Sequence, residues 1–148
     1  MSGLKLVLPD NPILRQQAQP ILSITTLDWY WLAQDMFLFL EEVGGIGLAA
    51  PQIDSPFQMF VINHPAFLST VCLNPTYKRH MSSKIKESTE RCLSLPGVVV
   101  KVPRYTMINI RYFDVYGIEH QSVKTGISAR IFQHECDHVH GKLITDYL

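Results

Sequence analysis

Two histidines and a glutamate near the end of the sequence have the types and the spacing of a metal-binding site. His134 and His138 are four positions apart, so on a helix they lie on one face and can both reach one metal ion. Glu135 follows the first histidine, where its carboxylate can handle protons of a water molecule at the metal. This His-Glu-x-x-His pattern is typical of metal-dependent amide hydrolases. The alternative is a polar helix face that carries ordinary histidines.

Two protein ligands are too few for a tight site, so a third ligand must come from elsewhere in the chain. His140 would lie on the wrong side of the helix, and Asp146 lies beyond the point where the helix stops. Cys92 is the best upstream candidate, because one thiolate and two imidazoles make a tetrahedral site with one position left for water. Its alternative role is that of a small buried residue. Cys136, between the two histidines, is expected to point away from the metal and to pack.

Helices are predicted near both ends of the chain and strands in its middle. The C-terminal helix, which carries the histidines, is predicted from Gly126 or Ile127 to His140, with Gly141 as its stop. Because strands and helices are segregated in this way, we expect an α+β fold. The predicted strands span residues 58–63, 70–73, 98–102, 107–114 and 120–123.

The N-terminal helix is predicted from about Thr26 to Val43. Thr25 and Asp28 have the spacing of a capping box, and Gly44-Gly45 supplies the stop. Small residues dominate the segment after this helix, residues 45–52, so its backbone can approach other groups closely. The expected apolar stripe of the helix consists of Leu27, Tyr30, Phe37 and Leu40.

Composition and charge restrict the class of protein. A chain of 148 residues suits one domain, so we expect residues 1–148 to form a single catalytic domain. Thirteen basic residues balance thirteen acidic ones, which argues against a partner nucleic acid. No segment has the length of a membrane span or the pattern of a signal peptide, so no membrane partner is expected. Three widely spaced cysteines favour a reducing compartment, and we expect a cytoplasmic protein.

Three segments of the chain resemble, in the same order, the three signature motifs of peptide deformylases. They are Gly45-Ile-Gly-Leu-Ala-Ala-Pro-Gln52, Glu90-Arg-Cys-Leu-Ser94 and Gln133-His-Glu-Cys-Asp-His138. The resemblance covers nearly the whole chain, including Leu73-Asn-Pro75 and the ending Thr145-Asp-Tyr-Leu148. It implies an α+β fold in which small antiparallel sheets surround the metal helix. It also implies an enzyme that removes the formyl group from the N-terminal methionine of nascent polypeptides and releases formate.

The resemblance further implies which residues act. The metal ligands would be Cys92, His134 and His138, and they would hold one divalent metal ion. That ion would be Fe(II) in the cell, although zinc, nickel or cobalt can occupy such a site. Glu135 would take a proton from the attacking water and pass it to the leaving amine. The donors to the charge that develops on the formyl oxygen would be the Gln52 side-chain amide and the Leu93 backbone N–H.

Substrate-binding residues follow from the same resemblance. The backbone around Ile46 and Gly47 would pair with the extended N-formylmethionyl peptide, which is recognition of backbone rather than of downstream sequence. Arg130 and Ile131, together with His134, would line the pocket for the methionine side chain. Glu90 and Arg104 would form an ion pair behind the motif, with a solvated surface arginine as the alternative.

The chain departs from the family pattern in two places. Arg91 stands where the middle motif usually has glycine, so its side chain either narrows the cleft or contacts the peptide beyond methionine. The sequence stops at Leu148, without the further C-terminal helix that helps many bacterial members to bind the ribosome, so we expect at most transient ribosome contact. Two other functions stay open at this point. One is a catalytically weak relative that binds N-terminal methionine, and the other is a general metallopeptidase.

Overall fold

Two helices and seven strands form the computed structural model, which describes every residue from Met1 to Leu148. In chain order the elements are α1 (Leu27–Val43), β1 (Gly47–Ala49), β2 (Met59–His64), β3 (Leu68–Arg79), β4 (Ile85–Cys92), β5 (Leu95–Tyr105), β6 (Met107–Phe113), β7 (Glu119–Thr125) and α2 (Gly126–Val139). One antiparallel sheet has the order β1-β2-β3-β6-β7, and β4 pairs with β5 in a separate hairpin. The predicted α+β class is confirmed. Neither helix has the combination of length and apolar character that crossing a membrane requires.

The bounds of α1 agree with the prediction, whereas its N-terminal cap does not. Thr26 is the N-cap and its side chain makes no capping hydrogen bond, so the capping box predicted at Thr25 and Asp28 is wrong. Gly44 ends the helix with a left-handed φ of 69°, a conformation that glycine adopts without the steric strain of a side chain.

The predicted apolar stripe of α1 is only partly buried. Leu27 is 71% exposed, Tyr30 and Phe37 are half-buried, and only Leu40 of the four is buried. The buried residues of the helix begin at Ala33, whereas its first turn is exposed to solvent. The residues that the helix buries are Ala33, Met36, Phe39 and Leu40.

The five-stranded sheet is covered by one helix on each face. Side chains alternate between the two faces of a strand, and along β2 this alternation divides the core. Met59 and Val61 belong to the apolar cluster that includes α1, whereas Phe60 and its alternate neighbour Ile62 belong to the cluster that includes α2. Phe60 meets Phe132 of α2 edge to face, with ring centroids 5.2 Å apart. The helix with the histidines is therefore anchored on a rigid sheet.

The β4–β5 hairpin packs against the other side of α2 and carries Cys92. Its inner face contributes Cys92, Val100 and Val102 to a third apolar cluster, which Ile144 completes. The sequence did not predict β4 or β1. β1 is only three residues long, and β4 has charged residues at half of its positions, including the buried Glu90, so neither shows an apolar alternation.

Gly141 is the position where an added methyl group should cost the fold most among the glycines. Its φ is +73°, and a Cβ built on it would lie 2.6 Å from both the carbonyl carbon and oxygen of Arg15. Backbone cannot move aside as a flexible side chain can. We therefore expect Gly141→Ala to lower the free energy of unfolding by about 2–4 kcal/mol, measured by urea denaturation.

Gly44 provides the matched control for this substitution. It has a similar φ of +69°, but a Cβ added there would have no atom within 4 Å. Gly44→Ala should therefore cost only the strain of the left-handed conformation, about 1 kcal/mol. Equal losses for the two variants would contradict the contact with Arg15.

Candidate metal centre and active site

Cys92, His134 and His138 meet where the β4–β5 hairpin packs on α2. One ligand atom from each residue lies within 4.8 Å of the other two. The two histidines lie one helical turn apart, with ring centroids separated by 5.3 Å. Cys92 ends β4, at the point where the hairpin approaches the helix. The structure thus brings together the three residues that the sequence proposed as metal ligands.

The chemistry of this cluster fits a metal ion. Sγ of Cys92 lies 3.4 Å from Nε2 of His138, close to the separation of about 3.6 Å for a sulfur and a nitrogen that share one tetrahedral ion. Burial lowers the pKa of His138 well below its ordinary value, so this imidazole is neutral, as a ligand must be. Burial also lowers the pKa of His134, but hydrogen bonds with Cys92 and Glu90 outweigh it and raise the pKa to about 10. A metal ion would therefore displace a proton from His134.

Glu90 orients the first histidine. Its Oε1 lies 2.8 Å from Nδ1 of His134, which leaves Nε2 of that ring facing the cluster. Arg104 donates two hydrogen bonds to the same carboxylate, at 3.0 and 2.8 Å, and Arg130 donates a third at 2.5 Å. Burial raises the pKa of Glu90, but the bonds from Arg104 and His134 outweigh it and lower the pKa to about 2. An ionised carboxylate behind a histidine ligand holds the ring in place.

Arg104 is buried rather than solvated, with only 4% of its surface exposed. Besides Glu90, it donates a bond of 2.6 Å to Asp137 of α2. The Tyr147 hydroxyl donates to the same Asp137 oxygen at 2.7 Å, and the Tyr147 ring lies beneath the Arg104 guanidinium at 5.1 Å. The ion pair expected between Glu90 and Arg104 is therefore part of a larger network. Through Arg104 it connects the hairpin, α2 and the C-terminal turn Ile144–Tyr147.

Glu135 lies at the floor of the site with an unsatisfied carboxylate oxygen. The residue is 3% exposed, and its Oε1 has no hydrogen-bond partner. Its Oε2 is 4.0 Å from Nε2 of His134, so the carboxylate borders the metal cluster. Burial raises the pKa of Glu135 to about 7. A carboxyl group with such a pKa can both accept and donate a proton near neutral pH.

Gln52 and Leu93 present donors beside the cluster. The buried Gln52 side chain is held at both ends, since its Oε1 accepts from the Ala49 N–H at 2.9 Å and its Nε2 donates to Ser94 Oγ at 2.9 Å. The same Nε2 lies 3.8 Å from Sγ of Cys92, so the amide faces the site. The Leu93 N–H follows Cys92 in the hairpin turn and has no backbone acceptor.

A cleft of about 540 Å³ opens over these groups. One wall is the segment Gly44–Gly47 and the other is the hairpin, with α2 as the floor. The Ile46 carbonyl accepts a bond from Asn63 of β2, whereas Ala49 turns its N–H away from β2 towards Gln52. By the alternation of a strand, the N–H and C=O of Gly47 also point away from β2, at the open edge of β1. All five residues expected to bind substrate line the cleft, namely Ile46, Gly47, Arg91, Arg130 and Ile131.

The family model for polypeptide deformylase matches residues 4–148. The chain belongs to the polypeptide deformylase family. A peptide deformylase from Cytophaga hutchinsonii is 38% identical over 145 residues, which covers 93% of this chain and 78% of that protein. Peptide deformylase 2 from a Nostoc strain is 34% identical, over 92% of this chain and 80% of that protein.

Solved structures of the deformylase family share the fold. A peptide deformylase from Synechococcus elongatus, in complex with actinonin, superimposes with a TM-score of 0.92 at 32% identity, over all of this chain and 80% of that one. The enzyme from Thermus thermophilus gives a TM-score of 0.89 at 36% identity, over 97% of this chain and 84% of that one. The arrangement of antiparallel sheets around the C-terminal helix, which was expected from the sequence, is thus the fold of deformylases.

Several residues of this deformylase site were not predicted from the sequence to have a role there. Ser94 positions Gln52, and Ile127 lines the cleft beside Ile131. Ser94 had a visible signal, because it lies within the middle motif. No pattern in the sequence indicated the contacts of Asp137 and Tyr147 with Arg104, because they join residues 33 and 43 positions apart.

Proposed function

We propose that this protein is a metal-dependent peptide deformylase that removes the formyl group from N-formylmethionyl nascent chains, with residues 1–148 as one catalytic domain. One observation carries the proposal: in a chain of the deformylase family, a buried Glu135 carboxylate with a free oxygen borders the cluster of Cys92, His134 and His138. The reaction adds water across the formyl amide. Its products are formate and a free methionine amine.

Cys92, His134 and His138 would hold one divalent metal ion, and of the metals that suit this set we propose Fe(II), with zinc, nickel or cobalt as substitutes. When bound, the ion polarises the formyl oxygen and lowers the pKa of water, so that a nucleophile is available near neutral pH. Glu90 contributes by holding the ring of His134. The ligand types alone do not select iron, because the ordinary order of affinities favours other metals.

Glu135 moves the protons in this proposal. Its carboxylate takes a proton from the attacking water as the oxygen bonds to the formyl carbon. It then gives that proton to the methionine nitrogen as the C–N bond breaks. Gln52 and the Leu93 N–H donate hydrogen bonds to the formyl oxygen as charge develops there, and Ser94 keeps the Gln52 amide in position before the reaction.

The peptide would lie extended along the cleft. The open backbone edge at Gly47 provides partners for its main chain, while the half-exposed Ile46 side chain borders its path. The methionine side chain would occupy the apolar part of the cleft near Ile127 and Ile131. Arg130 contributes its aliphatic stem there, because its guanidinium is bound to Glu90 and to two backbone carbonyls.

The partners and the cellular location of the enzyme are also proposed. The balanced charge supports a peptide partner rather than a nucleic acid, with at most transient contact with the ribosome. We propose a cytoplasmic location, supported by three cysteines that form no disulfide.

Formate release from a formyl-Met-Ala peptide tests this function. Protein loaded anaerobically with Fe(II) should release formate, and removal of the metal by a chelator should abolish release until a metal ion is restored. Absence of turnover in the metal-loaded protein would contradict the proposal. If that protein still bound the peptide, the result would favour a catalytically weak relative that binds N-terminal methionine.

Metal content distinguishes the ligand cysteine from a merely buried one. We expect Cys92→Ala to weaken metal binding at least about tenfold, because one of three protein ligands is removed. Cys136→Ala is the matched control, because Cys136 is likewise buried but lies on α2, where it packs into the core against the sheet. Elemental analysis after equilibrium dialysis should find about one ion per chain in the wild type and the control. Equal metal content in both variants would exclude Cys92 as a ligand.

A methyl group at Gly47 should disturb the carboxylate directly. A Cβ there would lie 2.6 Å from Oε2 of Glu135, a separation that forces the buried side chain to move. Displacement of a reacting group by about 1 Å can cost a hundredfold in rate, so we expect Gly47→Ala to lower kcat for formate release by about that factor.

Gly45→Ala is the control for Gly47→Ala. The close contacts of its Cβ would be with the ends of the Leu40 and Leu93 side chains, at 2.9 and 3.0 Å. These flexible ends can move, so kcat should fall much less. Comparable losses in the two variants would contradict a specific effect on Glu135.

A further inference from the structure

Arg91 is the one arginine of the cleft that forms no ion pair with another side chain. Besides the ligand Cys92, five charged or titratable residues line the cleft: Glu90, Arg91, Arg130, His134 and Glu135. Glu90 forms hydrogen bonds with both Arg130 and His134. Glu135 is buried at the floor of the cleft. Arg91 is exposed and takes part in none of the ion pairs. A guanidinium in this position is free to bind something that enters the cleft.

The backbone sets Arg91 apart from its neighbours in β4. Glu90 and Cys92 are buried, so Arg91 between them turns its side chain to the opposite, exposed face. The pairing of β4 with β5 shifts register between Glu90 and Cys92, because the single residue Arg91 lies opposite four residues of β5, residues 96–99, and it has no direct partner among them. This irregular part of the hairpin lies at the rim of the cleft, which Arg91 lines together with residues 96–98 of β5.

Arg91 also stands close to the path that a bound peptide must take. It precedes the ligand Cys92, so the backbones of the two residues are one strand position, about 3.3 Å, apart along β4. The residues after methionine leave the cluster between the two walls of the cleft, one of which contains Arg91. Two residues of an extended peptide span about 7 Å, a length that a long side chain at the rim can cover.

We infer that Arg91 selects formylmethionyl peptides that carry an acidic side chain at the first or second residue after methionine. The inference rests on the proposed deformylase function and deepens it. The planar guanidinium presents paired N–H donors that match the two oxygens of a carboxylate. No other cation of the cleft competes for this carboxylate, because the Arg130 guanidinium is already bound to Glu90.

Paired peptides that differ only in charge test the inference. We would compare formyl-Met-Glu-Ala with formyl-Met-Gln-Ala, and formyl-Met-Ala-Glu with formyl-Met-Ala-Gln. All four are C-terminally amidated, so that no terminal carboxylate competes. In the wild type, kcat/KM for formate release should be about threefold to tenfold higher for the Glu peptide in at least one pair at low salt.

Two variants locate the source of the preference. In Arg91→Gln the Glu-to-Gln ratio should fall to about one, because the side chain keeps its polarity but loses its charge. Lys101→Gln is the matched control, since Lys101 is an exposed cation of β5 in the same hairpin but does not line the cleft. Its ratio should equal that of the wild type. A wild-type ratio of about one in both pairs, or a ratio that persists in Arg91→Gln, would overturn the inference.

A binding measurement separates this inference from the proposed function. Dissociation constants of the four peptides would be measured with metal-loaded Glu135→Gln protein, alone and combined with Arg91→Gln. Tighter binding of a Glu peptide that disappears with Arg91→Gln would support the role of Arg91 independently of turnover. If the wild type released no formate from any peptide, the proposed function would fail. The ratio of dissociation constants alone would then decide the role of Arg91.

Discussion

Replacing Glu135 with glutamine is expected to lower kcat/KM for formate release by about a thousandfold. Glutamine has nearly the same shape as glutamate but can neither accept the proton of the attacking water nor return it to the leaving nitrogen. In the proposed reaction no other group can take over this role. Glu90 is ionised and bound by two arginines and His134, and Asp137 is bound by Arg104 and Tyr147.

Structural damage should not contribute to that loss. Burial raises the pKa of Glu135 to about 7, which shows that the ionised form is disfavoured at this position. An uncharged amide should therefore leave the melting temperature unchanged or higher, a common result when a functional charge is removed. Metal content should stay at the wild-type value, because Cys92, His134 and His138 are intact.

The exposed Glu41 of α1 offers the same substitution away from the cleft. Glu41→Gln should retain wild-type turnover, so a loss in both variants would indicate a general effect of the change in charge. Wild-type turnover in Glu135→Gln would contradict the assignment of proton transfer to Glu135.

The local part of the site could be predicted from the sequence. His134, Glu135 and His138 owe their arrangement to the period of one helix, and a period is visible in the sequence itself. The glycines that end the two helices were equally visible, since the backbone requirement at Gly44 and Gly141 is local. Cys92 was a candidate from its residue type, and only the resemblance to deformylases distinguished it from a small buried residue.

The supporting parts of the site could not be predicted from one sequence, because they depend on pairing between distant segments. Gln52 is held by Ser94, 42 positions away, and no pattern of residue types along the chain indicates that contact. β4 could not be predicted either, because the charged Glu90 occupies a buried position where a strand usually has an apolar residue. The Glu90 carboxylate can be buried because Arg104 of β5 and Arg130 of α2 form ion pairs with it.

The buried ion-pair network predicts the largest effect on stability. We expect Arg104→Met to lower the free energy of unfolding by about 3–5 kcal/mol, because it leaves the buried carboxylates of Glu90 and Asp137 without their main cation. Methionine retains the length of the side chain but none of its donors. For a chain of 148 residues this loss corresponds to a fall of roughly 10 °C in the melting temperature, measured by calorimetry on metal-loaded protein.

Arg111→Met provides the matched control, because Arg111 pairs with Glu119 on the surface, where both side chains are more than one third exposed. An exposed pair contributes at most about 1 kcal/mol, so this variant should melt close to the wild type. Arg104→Met should also weaken metal binding, whereas Arg111→Met should not, because Arg104, unlike Arg111, holds the Glu90 carboxylate that orients His134. Equal stability of the two variants would mean that Glu90 and Asp137 find other partners when Arg104 is lost. In that case Arg130 and Tyr147, which already contact them, would be sufficient to hold the site.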